Sequence, residues 1–224
     1  MTLLDKDLIS IQEVRNLVRR SKVAQKQLSK MSQEQINKIV KAVADAAYAN
    51  ATKLAKMANE ETGFGKWEDK VVKNTFASQM VYETLKDTKT VGIIGEDKEA
   101  KTIDIATPVG VVAGLIPSTN PTSTVIYKAM ISLKSGNTIV FSPHPNAKKC
   151  ILETVKIIST AAVNAGAPID SILCITNPSI VGTNELMKHK DTNLILATGG
   201  EAMVRAAYSS GTPAIGVGPG NGPA

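Results

Sequence analysis

Asn120 is the residue whose type and setting speak most directly of chemistry. It sits in Ile116-Pro117-Ser118-Thr119-Asn120-Pro121-Thr122, where an apolar run over 111–116 ends at Pro117 and a polar elbow opens a helical segment. A neutral carboxamide can donate a hydrogen bond to a developing alkoxide without titrating, and such donors contribute about 10²–10³ in rate where tested. Asn-Pro also serves as turn chemistry or as a helix cap, so both roles stand at this point. His144, between Pro143 and Pro145, is either a base or a packed loop residue. Gly199 and Gly200 close an apolar stretch and open a helix, where backbone N–H groups attract phosphate and glycine lets a pyrophosphate approach. The pair is not the full Gly-x-Gly-x-x-Gly fingerprint, and two glycines at such a turn also occur without a ligand.

The remaining chemistry-bearing residues offer less. Cys150 falls inside a helical stretch and Cys174 inside an apolar strand, settings in which thiols are small, buried and inert. Their separation fits no metal-ligand spacing and no disulfide framework, so a reducing cytoplasm is the expected setting. Asn50-Ala51-Thr52 is a formal glycosylation sequon with no use in that setting. The 224 residues, 43% hydrophobic and 21% charged, suit one or two α/β or α-rich units with a sizeable core. The formal charge of +6 is scattered among acids, which argues against a nucleic-acid face and suits an anionic cofactor or a thioester carrier. No apolar run has signal-peptide character or approaches the roughly 20 residues of a membrane span.

These residues must be positioned by elements, and the first ninety residues read as helical. Ile11, Val14, Leu17, Val18 and Val23 form an apolar stripe against Arg15, Arg19, Arg20, Lys22 and Lys26, the pattern of a core-facing helix rather than a membrane anchor. Ser32, with Glu34 and Gln35 in the next turn, starts a second helix, and Asn50 is a further start signal. Residues 60–65 break the pattern, with Thr62 and Gly63 as a helix stop, and 67–85 resume it as one helix. Segments 91–95 and 101–106 read as a β-hairpin. From Gly110 the period changes. Strands are expected over 111–116, 138–141, 172–175, 193–197 and 214–217. Helices are expected over 122–135, 147–165, 181–188 and 200–210, the first with Val125, Ala129, Met130 and Leu133 on one face and Gly136 as its stop. Such alternation means βαβ units and a doubly wound, five-stranded parallel sheet, with ligands expected at the carboxyl ends of its strands.

Several of these motifs together resemble the aldehyde dehydrogenase superfamily, in particular its coenzyme-A-acylating, acetaldehyde dehydrogenase branch. The matching text is Ile-Pro-Ser-Thr-Asn-Pro-Thr-Ser-Thr over 116–124, Glu-Thr-Gly-x-Gly over 61–65, Ser-Pro-His-Pro over 142–145, Ala-Thr-Gly-Gly over 197–200 with Ala-Ala-Tyr-Ser-Ser-Gly over 206–211, and Gly-Val-Gly-Pro-Gly-Asn over 216–221. The resemblance runs from the helices near Ser10 to Ala224. It implies that Asn120 is the oxyanion donor. It places a nicotinamide cofactor over Leu115, Ile116, Pro117, Ser118 and Thr119 and over Gly199, Gly200 and Gly218, with Ser142 and His144 beside it. Hydrolytic relatives hold the adenine ribose with a Lys and a Glu where this chain has Ser142 and Pro145, so NAD is expected and NADP is not excluded. They also carry a water-activating Glu where the register puts Gly216, and a thioester without that base survives until another thiol attacks it.

The resemblance implies three parts. They are a helical section over 1–90, an oligomerisation-type hairpin over 91–107, and a nucleotide-binding α/β core over 108–224. The family's nucleophilic cysteine lies beyond that core, in a second domain, and is absent from this sequence. The expected activity of an intact parent is therefore oxidation of a short aldehyde to its acyl-coenzyme-A thioester by a homo-oligomer, with this chain inactive alone. A semialdehyde or acyl-phosphate reductase of the same superfamily, or a non-catalytic binding or assembly fragment, are the alternatives.

Overall fold

A computed structural model describes residues 5–217. Helix α1 (Lys6–Leu28) is capped by Asp5, whose carboxylate accepts from the Asp7 and Leu8 N–H groups. Helix α2 (Gln33–Ala49) starts on a reciprocal capping box between Ser32 and Gln35, as that pair of residues predicts. Helix α3 (Ala51–Thr62) stops at Gly63, which takes the left-handed conformation that favours glycine, φ 68°.

Three local expectations need correction. Asn50 does not cap α3 with its side chain; its amide nitrogen donates backwards to the Ala46 carbonyl, because the residue first closes α2. Val23 is 60% exposed, and that turn of α1 buries Ser21 and Ala24 instead, with the Ser21 hydroxyl donating to the Thr138 hydroxyl at 2.8 Å. The stretch 67–85 is not one α-helix. It runs as α4 (Trp67–Thr75), a π-helical turn (Phe76–Met80) and α5 (Val81–Leu85), with the Ser78 hydroxyl donating to the Asn74 carbonyl.

Strands β1 (Gly92–Asp97) and β2 (Thr102–Ala106) pair antiparallel and form a sheet of their own. The rest alternates as β3 (Val111–Leu115), α6 (Pro121–Lys134), β4 (Thr138–Ser142), α7 (Lys148–Asn164), β5 (Ile172–Cys174), α8 (Ile180–Lys188), β6 (Thr192–Thr198), α9 (Glu201–Tyr208) and β7 (Ala214–Val217). The five strands pair in parallel in the order β5-β4-β3-β6-β7, so the winding direction reverses between β3 and β6. That is the doubly wound topology the strand–helix alternation predicts.

Strand residues divide by alternation between two cores. Val112, Ile139 and Phe141 join Ile36, Met130 and Ile158 on one side of the sheet, whereas Val111, Ala113, Leu115 and Val140 join Val14, Leu186 and Ala207 on the other. Each fully buried Val, Leu, Ile, Met or Phe side chain contributes about 1.5–3 kcal/mol. Gly114 lets the strands accept Phe141, since a Cβ there would stand 2.6 Å from the Phe141 ring. Helix α6 is not amphipathic in the expected sense: besides Val125, Ala129, Met130 and Leu133 it buries Lys128 and Lys134, because the sheet, α2 and α7 enclose it.

Candidate functional site

The reversal between β3 and β6 opens a cleft of about 850 Å³ at the carboxyl ends of the strands, a volume typical of ligand sites. Leu115, Ile116, Pro117, Ser118, Thr119, Asn120, Ser142, His144, Gly199 and Gly200 all line it. Gly218, also expected there, lies outside the described residues. No Asp or Glu is among the described lining residues, and His144 is the one ionisable side chain in that set. An anionic ligand therefore meets no like charge from the described walls.

The elbow is held from several directions. The Ile116 N–H donates to the Ser142 carbonyl at 3.1 Å, tying β3 to β4 past the end of the ladder. Lys128 rises from α6 and donates to the Leu115 carbonyl at 2.8 Å and to the Leu196 carbonyl at 2.7 Å, bridging the two strands that part to form the cleft. Burial disfavours its charge and lowers its pKa to about 7. From α4, the Lys70 ammonium donates to the Thr119 carbonyl at 2.8 Å, and Asn74 accepts from the Thr122 hydroxyl at 2.8 Å. The Lys70 pKa is lowered by burial and by the neighbouring charge of Lys73.

Asn120 occupies the N-cap position of α6, with Pro121 after it, yet its side chain makes no cap hydrogen bond. Its Oδ1 instead accepts from the Lys73 ammonium at 2.9 Å. An ammonium only donates, so the atom facing it is the oxygen. The carboxamide nitrogen has no acceptor among the described residues, and the residue borders the cleft. Of the roles open from sequence, helix capping is thus not the one its side chain performs.

The other expected residues divide into engaged and open. Ser142 is buried, and its hydroxyl shares a 2.8 Å hydrogen bond with that of Thr183, which ties β4 to α8. His144 is exposed and caps a 3₁₀ turn (Pro145–Ala147), its Nδ1 accepting from the Asn146 N–H at 3.1 Å, while Nε2 has no hydrogen-bond partner among the described residues. Gly200 forms the N-cap of α9; a Cβ there would meet nothing within 4 Å, and one at Gly199 only Met203 at ordinary contact. Packing against the described residues therefore does not demand glycine at either position. Gly216 differs. A Cβ there would stand 2.6 Å from Val204 and 3.0 Å from the Tyr208 ring, so close approach of α9 requires its small size.

The Glu61 carboxylate accepts from the Lys149 and Cys150 N–H groups, both at 2.7 Å. The segment 60–65, legible from sequence as a helix stop, thus also caps the start of α7. Both thiols are buried and their pKa values are raised, Cys150 by burial and then by Glu61, Cys174 by burial and then by Glu13. Sequence reasoning missed Lys70, Lys73, Asn74, Lys128 and Thr183. The available signal was the i, i+3, i+4 spacing of the first three on one helix face and a lysine within the otherwise buried α6.

The model of the aldehyde dehydrogenase family matches residues 5–215. In sequence the chain is similar to the bifunctional aldehyde-alcohol dehydrogenase of Escherichia coli strain K12, 52% identical over 214 residues that cover 96% of this chain and 24% of that protein. Among solved structures, an acetylating aldehyde dehydrogenase from Geobacillus thermoglucosidasius is 61% identical with a TM-score of 0.96, covering 98% of this chain and 48% of that one. A propionaldehyde dehydrogenase from Rhodopseudomonas palustris, solved with bound CoA and an acylated cysteine, is 33% identical with a TM-score of 0.78 and covers 91% and 46%. The chain spans at most about half the length of these relatives. The strand order, the cleft at its reversal and the family match agree, and the chain belongs to the aldehyde dehydrogenase family.

Proposed function

We propose that this chain is the cofactor-binding part of an acylating aldehyde dehydrogenase, in which a short aldehyde is oxidised with NAD or NADP and its acyl group passes to coenzyme A. The observation that carries this reading is the cleft at the β3/β6 reversal, which among the described residues offers an unengaged carboxamide donor and no carboxylate. The residues present suit a dinucleotide: Gly199 and Gly200 leave room at the start of α9 for a pyrophosphate, and the described walls carry no carboxylate. Bound there, the nicotinamide supplies a hydride acceptor. Asn120 holds the alkoxide formed when a cysteine thiolate from the remainder of the enzyme adds to the aldehyde. Lys128 keeps the parted strand ends at a fixed separation beneath it. Loss of hydride leaves a thioester, and no carboxylate stands among the described lining residues to activate water against it, which favours attack by the thiol of coenzyme A.

The test is aldehyde-dependent NADH or NADPH formation by a longer chain that includes the remaining half found in the relatives. Turnover that requires coenzyme A and yields acyl-coenzyme A supports the reading, and turnover indifferent to coenzyme A contradicts it.

A further inference from the structure

Helix α4 presents Lys70, Lys73 and Asn74 to one short stretch of chain. Lys70 takes the Thr119 carbonyl, Lys73 the Asn120 Oδ1 and Asn74 the Thr122 hydroxyl, so the bonds bracket Asn120 on both sides and engage its side chain. Lys70 and Asn74 are buried, and Asn74 is itself anchored by donating to the Ala51 carbonyl at 3.0 Å. Lys73 is exposed, so α6 does not need it for packing.

An asparagine at an N-cap has an alternative use for its oxygen, namely the N–H groups of the helix's second and third residues. Here those belong to Thr122 and Ser123, and Asn120 serves neither. Oxygen turned to α6 and oxygen turned to Lys73 point the amide nitrogen in different directions. We propose that Lys73 is a positioning residue that draws Asn120 Oδ1 away from the cap and thereby aims Nδ2 into the cleft, with Lys70 and Asn74 fixing the backbone on which it turns. The inference rests on the reading of Asn120 as the alkoxide donor. Beside the amide, the ammonium of Lys73 also polarises the N–H bonds toward an anion.

The test compares K73M, K73R, N120A and the K73M/N120A double variant in the longer, active chain. K73M is expected to lower kcat about 10- to 100-fold, the scale of a misaimed catalytic group, with the dinucleotide KM within about 2-fold, and K73R to recover most of the loss. In the N120A background K73M is expected to add nothing, since both act through one amide. In the 224-residue chain, the side-chain amide resonances of Asn120, assigned by their loss in N120A, should move in K73M and stay in K73R. K73M at wild-type kcat, or losses that multiply in the double variant, overturns the inference while a slow N120A leaves the reading of Asn120 standing. N120A at wild-type rate overturns both.

Discussion

At the scale of single residues, Asn120 at the cleft and Lys128 buried behind it each carry an expectation. Asn120 brings to the rim an amide nitrogen without an acceptor among the described residues, and Asn120→Ala is expected to cut turnover of the longer enzyme by about 10²–10³ while leaving dinucleotide affinity within a few-fold. Steady-state kinetics beside equilibrium dinucleotide binding separates the two effects. Lys128 makes a second expectation, on stability. Its pKa is about 7 in the fold, against about 10.4 for an unfolded lysine, so between those values the unfolded chain binds more protons. Stability from this residue is therefore lowest below pH 7 and rises with pH across that window. Urea denaturation of the wild type relative to Lys128→Met should show the difference moving in favour of the wild type, on the order of 2–4 kcal/mol, between pH 7 and 10. A flat difference would mean that the amine is already charged in the fold.

At the scale of elements, local chemistry was legible and long-range partnership was not. The capping box at Ser32, the stop at Gly63 and all five parallel strands follow from residues within one or two turns of one another. The elbow itself was equally visible, because proline on both sides of Asn120 marks a break in a buried strand. What sequence could not carry was the grip of α4 on it, whose partners lie 47 to 49 residues apart. The π-helical turn at Phe76–Met80 escaped for a similar reason: its apolar positions keep a helical period while the ladder changes. Two substitutions test the packing around the cleft. Gly114→Ala forces a methyl against Phe141 and should cost about 1–3 kcal/mol by chemical denaturation. Glu61→Ala frees two N–H groups at the start of α7 and should cost about 0.5–2 kcal/mol, with faster hydrogen exchange at Lys149 and Cys150.

At the scale of the whole molecule, the described surface leaves apolar groups uncovered where an assembly would use them. The hairpin of β1 and β2 exposes Ile93, Ile94, Ile103 and Ile105, each at least 45% accessible, and packs no core of its own. We propose that this hairpin joins subunits in the longer enzyme. Ile93→Asp with Ile103→Asp should shift it toward monomer in sedimentation velocity, and an unchanged sedimentation coefficient would remove the hairpin from the interface. Among the described residues no helix is long and apolar enough to cross a membrane, and no group of three or more His, Cys, Asp or Glu side chains could hold a metal ion. The functional reading turns on the cleft at the β3/β6 reversal. A crystal structure of the 224-residue chain with NAD tests it most directly. The result expected is the dinucleotide across the carboxyl ends of β3 and β6, pyrophosphate at Gly199 and Gly200, with the Asn120 amide nitrogen facing the nicotinamide; a dinucleotide bound elsewhere, or that nitrogen turned onto α6, would contradict it.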